Sequence, residues 1–147
     1  VVRWALDGYT KEKIKLNLRT RHITNPVIAQ CLLESLENKK RVVDGSDKGW
    51  IIHGLYCALW SFINYDDYRS AIDAVIRLNG DTDTNACIAG SLLGAFYGFD
   101  SIKEDPITNQ NMTILINADT KKGNMPRSNI YEINCIEKLI DTLLHDF

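Results

Sequence analysis

The stretch Gly80-Asp81-Thr82-Asp83-Thr84-Asn85-Ala86-Cys87-Ile88-Ala89-Gly90-Ser91-Leu92-Leu93-Gly94-Ala95 alternates acids with hydroxyls and then continues into small apolar residues. Gly80 can end one helix, and Thr82 or Asp83 can cap a second helix that begins near Thr84. Capping accounts for one aspartate and one threonine only. The other pair needs a further reason, because neighbouring carboxylates repel one another unless a cation lies between them. The stretch therefore predicts two helices joined by a turn that can hold a cation.

The cation at this turn is not expected to be the calcium of an EF-hand. Asp81, Asp83 and Asn85 match the first, third and fifth positions of that loop, but its required glycine and glutamate are replaced by alanine and leucine. Carboxylate oxygens of Asp81 and Asp83, together with the Thr84 hydroxyl, suit Mg²⁺ or Mn²⁺ instead. The sequence thus predicts a hard-cation site of another shape.

Small residues recur at every fourth position of the helix that follows the turn. They are Ala86, Gly90, Gly94 and Gly98. Glycine inside a helix costs about 1 kcal/mol relative to alanine, so glycines in register require a structural reason. We expect the backbone of another element to approach the helix closely along this ridge.

Helical periodicity dominates the chain before residue 100. Thr24-Asn25-Pro26 places a capping side chain before a proline, which predicts the start of a helix. Residues 50–62 are apolar on nearly all sides, so we expect them to form a central helix. A further helix is predicted over residues 66–78. The clearest loop is the glycine-containing segment 44–49.

Residues 100–128 break the helical period. Pro106, Gly123 and Pro126 stand among polar residues there, which predicts a long irregular excursion with a short extended piece at 114–116. A last amphipathic helix is expected from residue 130 to the end of the chain. Together these patterns predict an all-α fold, a compact helical bundle formed by one domain over residues 1–147.

Charge and composition exclude several classes of function. A formal charge of −2 provides no positive field for nucleic-acid binding. No apolar run approaches the roughly 18 residues of a membrane span, and the start of the chain lacks the pattern of a signal peptide. We expect an intracellular, cytoplasmic protein without a membrane or nucleic-acid partner. Its cysteines, which form no metal-binding pair, are expected to be reduced and buried: Cys31, Cys57, Cys87 and Cys135.

The histidines and tryptophans of the central region favour structural roles. His53 and His145 have no cysteine or carboxylate at ligand spacing, so neither is expected to bind a metal. Trp50 and Trp60 fit the core better than a site for stacking an adenine ring. Of the two, Trp50 is the better candidate for stacking, because it lies at the edge of the glycine loop.

Residues 80–95 resemble the C-terminal signature of the ADP-ribosylglycohydrolase family, relatives of the dinitrogenase reductase activating glycohydrolase. The paired aspartates, the threonines and the small-residue helix stand where the family has them. Upstream, Gly49-Trp50 and residues 55–60 resemble the buried helix that precedes this signature. His22 with Asn25-Pro26-Val27 resembles a histidine-proline segment of the family, with altered spacing. The resemblance implies an orthogonal all-α bundle of the family type, corresponding to its C-terminal half.

The resemblance also implies an activity. Family members hydrolyse the glycosidic bond between ADP-ribose and a protein side chain or a small acceptor, at a centre of two Mg²⁺ or Mn²⁺ ions. Carried over by position, the metal ligands would be Asp81, Asp83 and Thr84. The partner would be an ADP-ribosylated protein or a small ADP-ribose conjugate. Residues near that substrate would be Gly45, Ser46, Gly49, Trp50 and His22.

One departure from the family bears on function. Family members are longer, and their N-terminal half supplies further metal ligands, an early glutamate and a Thr-Asp-Asp triplet. This chain has no such triplet, and its Asp66-Asp67 pair fits a helix cap. The chain is then a piece of a longer protein, one half of a split enzyme completed by a separate chain, or a reduced relative. No general base can be assigned.

Three interpretations of function therefore stay open. The first is a hydrolase that uses the metal centre. The second is a metal-binding or ADP-ribose-binding module of the same fold that does not catalyse. The third is a structural helical domain whose aspartates act only as caps.

Overall fold

The computed structural model describes residues 1–122, 124–133, 136 and 140–142. No residue in these ranges lies in a β-strand, so the prediction of an all-α fold is confirmed. The helices of the described residues are α1 (Val2–Leu6), α2 (Lys11–Thr20), α3 (Pro26–Leu36), α4 (Ile51–Asn64), α5 (Tyr68–Ile76), α6 (Thr82–Glu104) and α7 (Pro106–Ile116), followed by a 3-10 turn at Asn129–Tyr131.

The chain divides into two compact units, residues 1–102 and residues 103–147. The first unit contains α1 to α5, nearly all of α6 and every predicted site residue. The second contains α7 and the 3-10 turn. A single domain over the whole chain stays a prediction.

Side-chain caps fix where several helices begin. The Asn25 side chain accepts hydrogen bonds from the backbone N–H groups of Val27 and Ile28, at 2.9 and 3.2 Å, with Pro26 in the first turn of α3. This confirms the predicted helix start. In the same way, the Asp67 carboxylate accepts from the Ser70 N–H at 2.7 Å and begins α5.

The core of the first unit surrounds α4. This helix buries most of its length, as predicted from its apolar sequence, and α3 packs against it. Cys31 and Leu32 of α3 are buried there, whereas Val27 in the first turn of α3 is exposed. The buried apolar residues of α4 are Tyr56, Cys57, Ala58, Leu59, Trp60, Phe62 and Ile63.

The predicted irregular excursion is wrong at α7, which is helical from Pro106 to Ile116. Asp105 caps this helix by accepting from the Thr108 N–H at 2.7 Å, and Pro106 lies in its first turn, where a missing N–H costs nothing. The extended piece expected at 114–116 is helical for the same reason. Of the last predicted helix, residues 136 and 140–142 are helical, and the rest lies outside the described residues.

The glycine ridge of α6 does not mark the close approach of another backbone. A Cβ at Gly90 would meet the side chains of Tyr68 and Ile72, at 3.3 and 3.6 Å. Gly98 has φ +78° and ψ 161°, which are not helical values, and it kinks the helix. The ridge therefore accommodates side chains of α5 at one position and a bend at another.

The structure also tests the predictions about the cysteines and about membrane spans. Cys87 is exposed, which corrects the prediction that all four cysteines are buried, and Cys135 lies outside the described residues. Cys87 is exposed because it lies on the outer side of α6, away from the buried Ala89. Within the described part of the chain, the helices are too short or too polar to cross a membrane.

Candidate functional site

The acidic stretch forms a turn between α5 and α6, as its sequence predicts. Asn79 and Gly80 both adopt left-handed backbone, with φ +64° and +76°, and reverse the direction of the chain. The backbone N–H of Asn85 donates to the Asp81 carbonyl at 2.9 Å and closes the first turn of α6. We call residues 79–84 the acidic turn.

The acidic turn lies directly beside the glycine-containing loop. A Cβ at Gly80 would collide with the carbonyl oxygen of Val43 and lie 3.4 Å from the Cα of Asp44. Val43 is itself buried, so the contact belongs to the fixed interior of the unit. The fold thus brings two predicted site segments together, the acidic turn and the loop at residues 44–49, which we call the glycine loop.

The carboxylates of the acidic turn lie close together at the start of α6. The pKa of Asp83 is lowered because its carboxylate accepts hydrogen bonds from its own backbone N–H and from the Thr84 N–H, and the Asp81 side chain lies within hydrogen-bonding reach of it. A helix N-terminus favours negative charge in this place. Two carboxylates within hydrogen-bonding reach of each other form the arrangement that a shared cation stabilises.

The donor atoms of the acidic turn fit a hard cation in type but do not enclose one. Asp81 is half-buried, while Asp83 and Thr84 are exposed. Within the described ranges, no cluster of three or more histidine, cysteine, aspartate or glutamate side chains is arranged to hold a metal ion. Two carboxylates and a hydroxyl are oxygen ligands of the kind that Mg²⁺ accepts alongside water and substrate oxygens. The turn therefore fits as one side of such a site.

The glycine loop is tightly turned and ends at a partly exposed tryptophan. Trp50 N–H donates to the Asp47 carbonyl at 2.8 Å, and Lys48 N–H donates to the Gly45 carbonyl at 3.2 Å. An open depression is lined by Ser46, Asp47, Gly49 and Trp50. Three of these four were predicted to lie near a substrate, and Asp47 was not.

Trp50 is held from two sides and is 41% exposed. Its ring meets the His53 ring edge to face, with 5.6 Å between centroids, and the Arg41 guanidinium lies 5.5 Å from the indole centroid. The prediction that Trp50 belongs in the core is therefore wrong, because its position at the end of a surface loop leaves much of the ring in solvent. Trp60, by contrast, is buried as predicted, at 3% exposure.

Two side chains of α4 form hydrogen bonds with the segment that leads to the glycine loop. Tyr56 Oη donates to the Lys39 carbonyl at 2.8 Å and accepts from the Arg41 N–H at 3.2 Å. One turn later, Trp60 Nε1 donates to the Asn38 side chain at 2.7 Å. Our sequence analysis missed this scaffold, although polar atoms spaced four residues apart on an apolar helix were a usable signal.

The two histidines that the structure describes lie in different environments. His53 is buried at 2% exposure, as expected of a structural residue, but its Nε2 lies 3.3 Å from Asp47 Oδ2. The turn of the glycine loop brings Asp47 back over α4, a contact that the spacing in the sequence did not indicate. His22 is exposed between α2 and α3 and forms no hydrogen bond or ion pair with any described residue. His145 lies outside the described residues.

Comparison with known proteins identifies the family. A family model described as ADP-ribosylglycohydrolase matches residues 1–126. A protein of Acanthamoeba polyphaga mimivirus that carries the name ADP-ribosyl glycohydrolase is 44% identical over 55 residues, which are 37% of this chain and 17% of that protein. The ADP-ribosylarginine hydrolase Tri1 of Serratia proteamaculans is 26% identical over 103 residues, 69% of this chain and 27% of that protein.

The chain spans a minor part of both relatives, since the aligned segments are 17% and 27% of their lengths. No solved structure matches it significantly. The family model, however, covers most of the chain, including the acidic turn and the glycine loop. This chain belongs to the ADP-ribosylglycohydrolase family.

Proposed function

We propose that this chain forms part of a hydrolase that cleaves the glycosidic bond between ADP-ribose and an acceptor, and that its acidic turn supplies one side of a Mg²⁺ or Mn²⁺ centre. The observation that carries the proposal is the contact between Gly80 and Val43. It places the carboxylates of Asp81 and Asp83 beside the loop that ends at Trp50, in a chain whose family is named for this activity.

The residues have distinct roles in this proposal. Asp81, Asp83 and the Thr84 hydroxyl hold the metal, which when bound orients ribose oxygens and acidifies a water molecule. The α6 N-terminus keeps Asp83 ionised, as its lowered pKa indicates. The exposed face of Trp50 offers a stacking surface for an adenine ring.

The remaining ligands and the general base would come from outside the described residues of this chain, from a further segment or from a partner chain. This division follows from the donor count, because two carboxylates and a hydroxyl leave most positions of a binuclear site unfilled. The same count favours a second candidate function, a module that binds metal and ADP-ribose without turnover. We propose two ions, Mg²⁺ or Mn²⁺, as the cofactors of the complete site, and the acidic turn of this chain takes part in binding them.

Arginine-linked ADP-ribose is the first substrate to test. The Serratia relative is named an ADP-ribosylarginine hydrolase and aligns with 69% of this chain. Other protein acceptors and small ADP-ribose conjugates follow as alternatives of the same chemical class, because the acidic turn would contact the ribose and its metal rather than the acceptor.

Calorimetric titration with MgCl₂ and MnCl₂, with and without ADP-ribose, tests the proposal. We expect metal uptake that Asp81→Asn or Asp83→Asn abolishes. Asp100→Asn is the matched control, since it makes the same charge change at an exposed position of the same helix and should leave uptake unchanged. Release of ADP-ribose from ADP-ribosylarginine by the complete protein, with metal present, then separates a hydrolase from a binding module. A folded protein that takes up neither ion under either condition would leave the aspartates as helix caps and overturn both candidates.

A further inference from the structure

Two buried residues next to the site have polar atoms without hydrogen-bond partners. Within the described residues, the buried side-chain nitrogens that lack a partner are Nδ1 and Nε2 of His53 and Nδ2 of Asn85. The two residues are 2% and 3% exposed. Buried polar groups in native proteins are nearly always paired, because a buried group without a partner loses its hydrogen bonds to water and forms none in the protein. Their concentration in two residues therefore needs an explanation.

His53 and Asn85 lie on either side of one helix contact. Asn85 Oδ1 is 3.6 Å from the point that a Cβ on Gly54 would occupy, and Ile88 Cδ1 is 2.7 Å from that point. Gly54 follows His53 directly in α4, and Asn85 lies in the first turn of α6. The absence of a side chain at Gly54 lets the two helices meet here. Asn85 therefore lies against the residue that follows His53 in α4.

The unpartnered atoms are chemically complementary. His53 Nε2 lies 3.3 Å from Asp47 Oδ2 without forming a hydrogen bond. A small rotation of either side chain would let a neutral imidazole protonated at Nε2 donate to that carboxylate. Nδ1 of the same tautomer is a hydrogen-bond acceptor, and Nδ2 of Asn85 is a donor. One bond, made directly or through a bound water, would satisfy both.

We propose that Asp47, His53 and Asn85 form a buried polar link that positions the glycine loop relative to the acidic turn. Asn85 Nδ2 donates to His53 Nδ1, directly or through one water, and His53 Nε2 donates to Asp47. At its other end, the backbone N–H of Asn85 donates to the Asp81 carbonyl at 2.9 Å. The link therefore runs from the loop that carries Trp50 to the residue before α6. His53 and Asn85 are positioning residues in it and touch neither metal nor substrate.

A histidine that merely fills space in the core is the competing explanation, and a double-mutant cycle separates the two. Phenylalanine at 53 and leucine at 85 keep the shape and remove the polar atoms, so each single variant leaves a buried partner unpaired. His53→Phe/Asn85→Leu should lose less stability than the two singles together. We expect a coupling of roughly fivefold or more in the unfolding equilibrium constant, read from urea denaturation. Additive effects would overturn the link.

The control cycle combines His53→Phe with Ser91→Ala. Ser91 is exposed on α6, and its hydroxyl bonds only within that helix, to the Cys87 carbonyl at 3.0 Å. The effects of these two substitutions on stability should add. Should a variant fail to fold, long-range ¹H–¹⁵N spectra of the wild-type imidazole decide the matter. The expected tautomer has its proton on Nε2, and a proton on Nδ1 would contradict the proposal.

The positioning role has its own measurement, amide hydrogen exchange of the glycine loop. The amides of Lys48 and Trp50 are bonded inside the loop and should exchange faster in His53→Phe and Asn85→Leu, with no change in Ser91→Ala. Unchanged exchange in the first two variants would refute the positioning role.

The effect on ligand binding rests on the proposed function. ADP-ribose affinity should fall several-fold in His53→Phe while affinity for Mg²⁺ is retained. If the wild-type chain binds no ADP-ribose, the proposed function fails, whereas the mutant cycle and the exchange rates still decide whether the link exists.

Discussion

The carbonyl oxygen of Val43 lies against Gly80, in the space that a side chain at position 80 would need. Gly80 also has φ +76°, a backbone conformation that other residues adopt only under strain. Gly80→Ala should therefore destabilise the protein through two separate effects. We expect a loss of about 2 kcal/mol or more in the free energy of unfolding, measured by urea denaturation.

Gly8→Ala separates the two effects of the Gly80 substitution. Gly8 has φ +75°, but nothing lies within 4 Å of the Cβ that an alanine would add. This variant should show only the backbone strain, so its loss should be smaller. Equal losses in the two variants would mean that the Val43 segment moves away freely, and the acidic turn and the glycine loop would not be held together by this contact.

Tyr56→Phe tests the scaffold under the glycine loop. The substitution removes the hydroxyl that bonds the Lys39 carbonyl and the Arg41 N–H. We expect a loss of about 1–2 kcal/mol in stability and faster amide exchange at Arg41, because two backbone groups lose a buried partner. Tyr131→Phe is the control, since Tyr131 is 65% exposed and should lose almost nothing. An unchanged exchange rate at Arg41 would show that the hydroxyl does not hold the segment.

How well the sequence predicted the fold depended on agreement between local signals. The helix starting at Pro26 was predicted because its cap and its apolar period coincide. Asp105-Pro106 is the same kind of start signal, but the polar residues after it hide the period, so α7 was missed. Gly98 was placed in a helical ridge because its spacing fits, although glycine at a kink gives the same spacing.

The site was predictable only in part, for a physical reason. The composition of residues 80–84 indicates hard-cation chemistry, since alternating carboxylates have few other uses. The approach of Val43 to Gly80 joins segments that are distant in the chain. The approach of Asp47 to His53 depends on how the loop between them turns. Local periodicity contains no information about such contacts, which arise from the packing of α4 against its neighbours.

The cysteines should differ sharply in reactivity. Burial raises the pKa of Cys31 to about 11 and that of Cys57 to about 12, so both remain protonated thiols at neutral pH. Cys87 is exposed. Iodoacetamide at pH 8 should alkylate Cys87 first and reach the two buried thiols only after unfolding in urea, as peptide mass spectrometry can follow. Comparable early labelling of Cys31 would contradict the packing of α3 against α4.

Lys11 joins α2 to the segment between α4 and α5. It is 8% exposed, and its ammonium donates to the Tyr65 carbonyl and, at 2.8 Å, to the Asp66 carboxylate. Lys11→Met keeps most of the aliphatic stem and removes both bonds. We expect a loss of about 1–2 kcal/mol in the free energy of unfolding at pH 7.

The ion pair between Lys11 and Asp66 should make the stability of the protein depend on pH. The hydrogen bond and the charge of Lys11 lower the pKa of Asp66 below its usual value. A carboxylate with a lowered pKa in the folded state stabilises the protein above its unfolded pKa of about 4, and that contribution disappears as the pH falls through the lower, folded value. Asp66→Asn should therefore be less stable than wild type by a constant amount between pH 5 and 7.

The difference between wild type and Asp66→Asn should shrink below pH 4 and vanish in stronger acid. Asp100→Asn is a suitable control, because Asp100 is exposed and forms no hydrogen bond or ion pair with any described residue, and the control should follow wild type throughout. Urea denaturation at several pH values measures all three proteins. A difference that persists in strong acid would place the effect in the shape of the side chain at 66 rather than in its charge, and Lys11 would then hold α2 through the Tyr65 carbonyl alone.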